Sequence, residues 1–151
     1  MMKGISIKAV LIGWIVDFVL EFAGGLVLAT ALVVYVMYGS NNNHGHFDLP
    51  AYTRLSHSPP VLLISIVLGV GGSLIGGFVT GWIASTSRMK NAYALSIVEL
   101  VFSVAFLPFM QSYPIWFDVL GTVVTVGFTI LGGLISQLIF DDKASTNKNI
   151  E

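Results

Sequence analysis

The chain has 151 residues, 55% of them hydrophobic and only 10% charged, with a net charge of −1 and a mean hydropathy of +0.85. Soluble domains of this size carry about 25% charged residues, so the deficit points to the bilayer as solvent, and a near-neutral balance gives no basis for a nucleic-acid partner. The absence of cysteine excludes disulfides, thiol catalysis and thiolate metal sites.

Four apolar segments, about 9–38, 61–85, 91–110 and 116–140, reach the roughly 20 residues that a helix needs to cross hydrocarbon. They predict an all-α integral membrane protein, an antiparallel bundle of four transmembrane helices with glycine-rich contacts. Residues 1–140 form one membrane domain and 141–151 a polar tail.

Lys3 and Lys8 precede the first span as they would a secretory signal, but the apolar run is too long for a signal core and has no small-residue exit, so a retained span is expected. It exceeds the bilayer thickness and should tilt or protrude. Its fourfold row is Ala9, Gly13, Asp17, Glu21, Gly25, Ala29, which sets two acids among small residues on the face best suited to meet another helix.

Residues 39–60 form a polar outer loop rich in Asn, Gly, Ser and Pro, without an assignable element. It holds all three histidines, His44, His46 and His57, and with Asp48 they offer nitrogen and oxygen donors suited to zinc or copper. The same histidines also suit pH sensing or an ordinary solvated loop.

The second span, SIVLGVGGSLIGGFVTGWIAS at 65–85, carries two neighbouring rows without bulk: Ser65, Gly69, Ser73, Gly77, Gly81, Ser85 and Gly72, Gly76, Thr80, Ala84. Such a glycine load costs roughly 1 kcal/mol per residue against alanine in a soluble helix. In hydrocarbon the helix forms regardless, because the backbone must satisfy itself, and small rows then let helices approach closely. A flat, wide groove is expected here, with the function lying in what packs into it, and Gly77→Leu should disrupt that packing.

The third span places Glu99 roughly 9 Å beyond Tyr93, and Glu21 lies roughly 10 Å beyond Trp14, so the two acids share a depth. The Gly76-Gly77 and Gly132-Gly133 pairs fall near the same level. No Lys or Arg lies inside any span, so an ionised acid there would be unpaired and costly. At least one of Glu21 and Glu99 is expected to carry a proton, or to face water, a cation or a partner's base. Structural glue, proton or cation handling, and pairing with a second subunit all follow from that condition.

The fourth span has the row Gly121, Thr125, Thr129, Gly133, Gln137, with Gln137 able to bond across an interface. Asp118 is expected to cap its start, and the tail beyond residue 140 to be disordered. Short connections at 86–90 and 111–115 predict that spans two, three and four are sequential antiparallel neighbours. Six cations, Lys3, Lys8, Arg88, Lys90, Lys143 and Lys148, lie on one side against Arg54 on the other, which predicts cytoplasmic termini.

The form apolar-Gly-Gly-apolar-apolar occurs three times, around Gly24-Gly25, Gly76-Gly77 and Gly132-Gly133, and fits either a duplicated hairpin or recurrent packing chemistry. Metalloprotease, nucleophile-elbow and phosphate-loop patterns are missing, so neither an enzyme nor a cofactor is expected.

The stretch IGGFVTGWIAS, a short basic turn and then Asn91-Ala92 resemble a motif of small bacterial four-span membrane proteins. The resemblance covers spans two and three and implies a four-helix protein of a bacterial inner membrane. It brings no activity and no site residues. The leading expectation is a non-enzymatic membrane protein that acts through helix packing, as a homo-oligomer or as a subunit beside another membrane protein. The rivals are a small proton- or cation-coupled transporter using Glu21 and Glu99, and an outer-surface metal or pH sensor.

Overall fold

A computed structural model describes residues 4–39, 45–85, 87–106 and 113–148, with 142–148 placed as backbone alone. The described chain is helical: α1 (Ile7–Val34, continued by a π turn at Tyr35–Gly39), α2 (Leu49–Ser56), α3 (Pro59–Ile83), α4 (Arg88–Phe106) and α5 (Ile115–Lys148). Ser6 starts α1 by accepting from the Ala9 N–H at 3.3 Å, and Pro59-Pro60 opens α3 where missing N–H groups cost nothing.

Four of these helices are long and apolar enough to cross a membrane, over Ile7–Gly39, Pro59–Ile83, Arg88–Phe106 and Ile115–Asp141. The packing is inverted relative to a water-soluble bundle. Ser73, Thr80, Asn91, Thr129 and Ser136 are fully buried, while Phe18, Phe22, Val67, Ile97 and Val123 are exposed. Water would not tolerate such a surface, and oil does, so the chain is a multi-pass membrane protein.

α3 sits at the centre, and its two small rows serve two different neighbours. Gly72, Gly76 and Thr80 meet α1, which runs antiparallel: a methyl group built at Gly76 would stand 2.8 Å from Asp17 Cβ, and one built at Gly13 would strike the Thr80 hydroxyl. Gly77 and Gly81 meet α5, which runs parallel to α3: a methyl at Gly77 would strike the Thr129 carbonyl, and one at Gly81 would stand 2.9 Å from Ser136 Cβ. From the other side, Gly132 lies against the Leu74 carbonyl and Gly133 against Ala92 of α4.

The groove on α3 is filled by its own chain. Consecutive helices are neighbours, α3 with α4 and α4 with α5, but the most extensive interface joins the parallel pair α3 and α5 rather than the antiparallel pair α3 and α4. Chain adjacency favours the latter, but glycines on both faces let the former approach more closely.

Two segments differ from the sequence reading. The outer loop contains α2, with Asp48 as its N-cap accepting from the Ala51 N–H at 3.0 Å and Pro50 in the first turn. α5 continues through the polar residues to Lys148, because extending a formed helix is far cheaper than nucleating one. Asp118 does not cap α5; the helix begins at Ile115, and Asp118 falls within its first turn.

The N-terminal ends of α1 and α4 are locked together. The Ser6 N–H donates to Asn91 Oδ1 at 2.7 Å, and Asn91 Nδ2 donates to the carbonyls of Gly4 at 3.1 Å and Ser87 at 3.0 Å. Ser85 and Ser87 take left-handed φ values of 32° and 59° to reverse the chain between α3 and α4. Arg88 donates to Asp141 at 2.8 Å and lies over the Phe140 ring at 5.3 Å. Asp141 is more than half exposed, so Asp141→Asn should lower stability by only about 1 kcal/mol or less, as read from thermal unfolding in detergent.

Candidate functional site

α1 and α4 bring three carboxyls to one level of the bundle. Asp17 lies beside Ser73 and Glu99, Glu21 beside Asp17 and Ser73, and Glu99 beside Thr129 and both of the other acids. Asp17 and Glu99 are buried, at 4% and 5% exposure, and Glu21 is half-buried. Fourfold spacing stacks Asp17 and Glu21 on one face of α1. The glycines of α3 then make room for them: a methyl at Gly72 would stand 3.0 Å from Asp17 Oδ1, and one at Gly69 3.3 Å from Glu21 Oε1.

Hydroxyls from the other two helices supply part of the bonding. Thr129 Oγ1 lies 2.6 Å from Glu99 Oε2 and 3.1 Å from the Thr125 carbonyl, and its single proton can be donated to either. Ser73 Oγ has the same choice between Glu21 Oε1 at 3.5 Å and the Gly69 carbonyl at 3.1 Å. Two carboxyl oxygens, Asp17 Oδ1 and Glu99 Oε1, are buried without a hydrogen-bond partner. A buried carboxyl oxygen left in that condition costs free energy that a proton or a bound cation removes.

All three acids line a cavity of about 750 Å³. It extends from the acid layer toward the C-terminal end of α4 and the N-terminal end of α5, where Phe106, Phe117 and Asp118 border it. On α1 its lining runs from Trp14 to Leu28, so the cavity is roughly 21 Å long. Trp14, Phe18 and Phe102 line its lower wall, and the rings of Trp14 and Phe102 meet at 4.9 Å below it. No Lys, Arg or His lies among the described lining residues.

The glycines divide in function. Gly13, Gly72, Gly76, Gly77, Gly81 and Gly133 sit at helix contacts, whereas Gly25 and Gly121 line the cavity and a methyl built on either would meet nothing within 4 Å. Within this chain Gly25 and Gly121 therefore border space and touch no neighbouring helix. Gln137 is half-buried on α5.

The outer-loop donors do not converge. Asp48 is committed to its cap, His46 is exposed, and His57 stacks on Tyr113 at 4.8 Å while its Nδ1–H donates to the Thr53 carbonyl at 2.7 Å. His44 falls outside the described residues. Among the described residues no three acidic or imidazole groups come together in a way that could hold a metal ion.

Three contributors escaped the sequence reading. Thr129 was visible only as a member of a small row, Thr80 likewise, and Asn91 only as part of a motif. A polar side chain inside a predicted span was the available signal for each. No protein-family model, curated protein or solved structure matches the chain.

Proposed function

We propose that the protein is a small non-enzymatic membrane carrier that takes up protons or cations at Asp17, Glu21 and Glu99. The observation that supports this is the meeting of three carboxyls, Asp17, Glu21 and Glu99, at one cavity with no basic side chain among its described lining residues, two of them so buried that Asp17 Oδ1 and Glu99 Oε1 lie behind its wall without a hydrogen-bond partner. A proton held by one of the neighbouring acids Asp17 and Glu99 can be donated to the other, so the layer stores a proton that a cation can replace.

The excess of Lys and Arg at the ends of α1, α4 and α5 sets the termini in the cytoplasm, and the cavity then faces the outer side. Placement in a bacterial inner membrane rests on the sequence resemblance. The test is flux in proteoliposomes carrying a pH-sensitive or cation-sensitive dye under an imposed gradient. Wild-type protein should dissipate the gradient, and Glu99→Gln and Asp17→Asn should each reduce the rate by roughly 10-fold or more, toward the protein-free level. Wild-type vesicles as tight as empty ones would overturn the proposal.

A second reading, assembly with another copy or another membrane protein, is favoured by one observation: a methyl built on Gly25 of α1 or Gly121 of α5 would meet nothing within 4 Å, so both present bare backbone to the same space. Cysteines placed at positions 25 and 121 should then crosslink between chains in lipid rather than remain reactive to a small maleimide.

A further inference from the structure

We propose that the cavity is a binding site for a lipophilic organic cation, a hydrophobic amine or quaternary ammonium whose charge rests at the acid layer and whose apolar body lies against the aromatic wall. This rests on the reading above that the acids handle positive charge, and it names the class of cation.

Three independent features carry it. The first is charge: Asp17, Glu21 and Glu99 stand at one end of the cavity and Asp118 at the other, with no base among the described lining residues to neutralise them. Glu21, half-buried, is the acid the space reaches most openly, and Asp17 and Glu99 stand behind it at 4% and 5% exposure, each with one oxygen that has no hydrogen-bond partner. Anions are disfavoured throughout such a space, and a cation finds acids at both ends.

The second is the wall. Trp14, Phe18, Phe102, Phe106 and Phe117 all border the cavity. Aromatic faces attract cations bearing apolar substituents, and they do so most strongly where water is scarce. A small inorganic ion needs six or more oxygen ligands, or a tight set of them, and the described acids do not close into such a set.

The third is size. About 750 Å³ falls within the range of small-molecule sites and far exceeds what one inorganic ion fills. The space is built by the chain itself: Gly25 and Gly121, with open volume where a side chain would begin, keep opposite walls apart.

The test uses the full chain in lipid nanodiscs with radiolabelled tetraphenylphosphonium as probe, and empty nanodiscs for the partition background. Saturable binding is expected above that background. Glu99→Gln should weaken it about 10-fold, and tetraphenylborate, the anion of the same shape, should not compete. Gly121→Leu fills the space from a position free of clashes and should abolish binding while helical content and elution volume stay unchanged.

Should Glu99→Gln fail to fold, Asp118→Asn, half-buried in the first turn of α5, should still weaken binding about 3-fold. Absence of saturable binding, equal binding of tetraphenylborate, or binding indifferent to Gly121→Leu would each overturn the inference. Ion flux that depends on Glu99 without tetraphenylphosphonium binding overturns it and leaves the carrier reading standing. Probe binding without any flux supports the site and overturns the carrier.

Discussion

A single methyl group added at Gly77 is expected to destabilise the protein by about 3 kcal/mol or more, because it separates α3 from α5. The new carbon would strike the Thr129 carbonyl and stand 3.0 Å from Thr129 Cα, and both are main-chain atoms that no rotamer change can move aside. Gly132 of α5 lies equally hard against the Leu74 carbonyl, so the helices cannot slide to relieve the contact. Moving α5 also withdraws Thr129 from Glu99, which it meets at 2.6 Å, and so disturbs the acid layer. Gly121→Ala is the matched control, with nothing within 4 Å of the added carbon, and should change stability by less than about 0.5 kcal/mol. Thermal unfolding in mild detergent, followed by far-UV circular dichroism, gives both values. Equal midpoints for the two variants would mean that the α3–α5 contact does not limit stability.

Asn91→Leu is expected to release the N-terminus of α1 from α4 and cost about 2 kcal/mol or more. The carboxamide is fully buried and bonds the Ser6 N–H and the carbonyls of Gly4 and Ser87, using both its acceptor and its donors. Leucine has similar bulk but satisfies none of them. Water at the membrane surface can reach Gly4, which is exposed, so the loss is held near the lower end of what three buried bonds would suggest. The checks are the unfolding midpoint and the rate at which a protease trims the N-terminus of protein in proteoliposomes, which should rise. An unchanged cleavage rate would show that Asn91 does not hold the two ends together.

Spans and their depths were readable because hydropathy and helical rise are nearly independent of tertiary context. The shared level of Glu21 and Glu99 follows from spacing along two helices, whereas the same rise sets Asp17 a turn nearer the helix end, within reach of water, Arg88 or Lys90, and its place beside Glu99 comes from packing. Which row faces which neighbour was not readable. Gly25 and Gly77 look alike in sequence, yet one borders open space and the other touches a carbonyl. That difference comes from the crossing of α1, α3 and α5, and helix crossing depends on all three surfaces together. The α2 helix was within reach, since Asp48-Leu49-Pro50 is an N-cap followed by a proline in the first turn, but eight residues gave too little periodicity to stand out. The continuation of α5 past Asp141 had no apolar pattern to announce it; an existing helix simply carried it.

The parallel pairing of α3 and α5 has a consequence for biogenesis. During synthesis α3 enters the bilayer with one glycine face already able to dock on α1, but the opposite face has no counterpart until residues 115–141 leave the ribosome. Throughout that interval a strip of bare backbone meets lipid, and premature chain release between α4 and α5 would leave a half-covered intermediate open to membrane quality-control proteases.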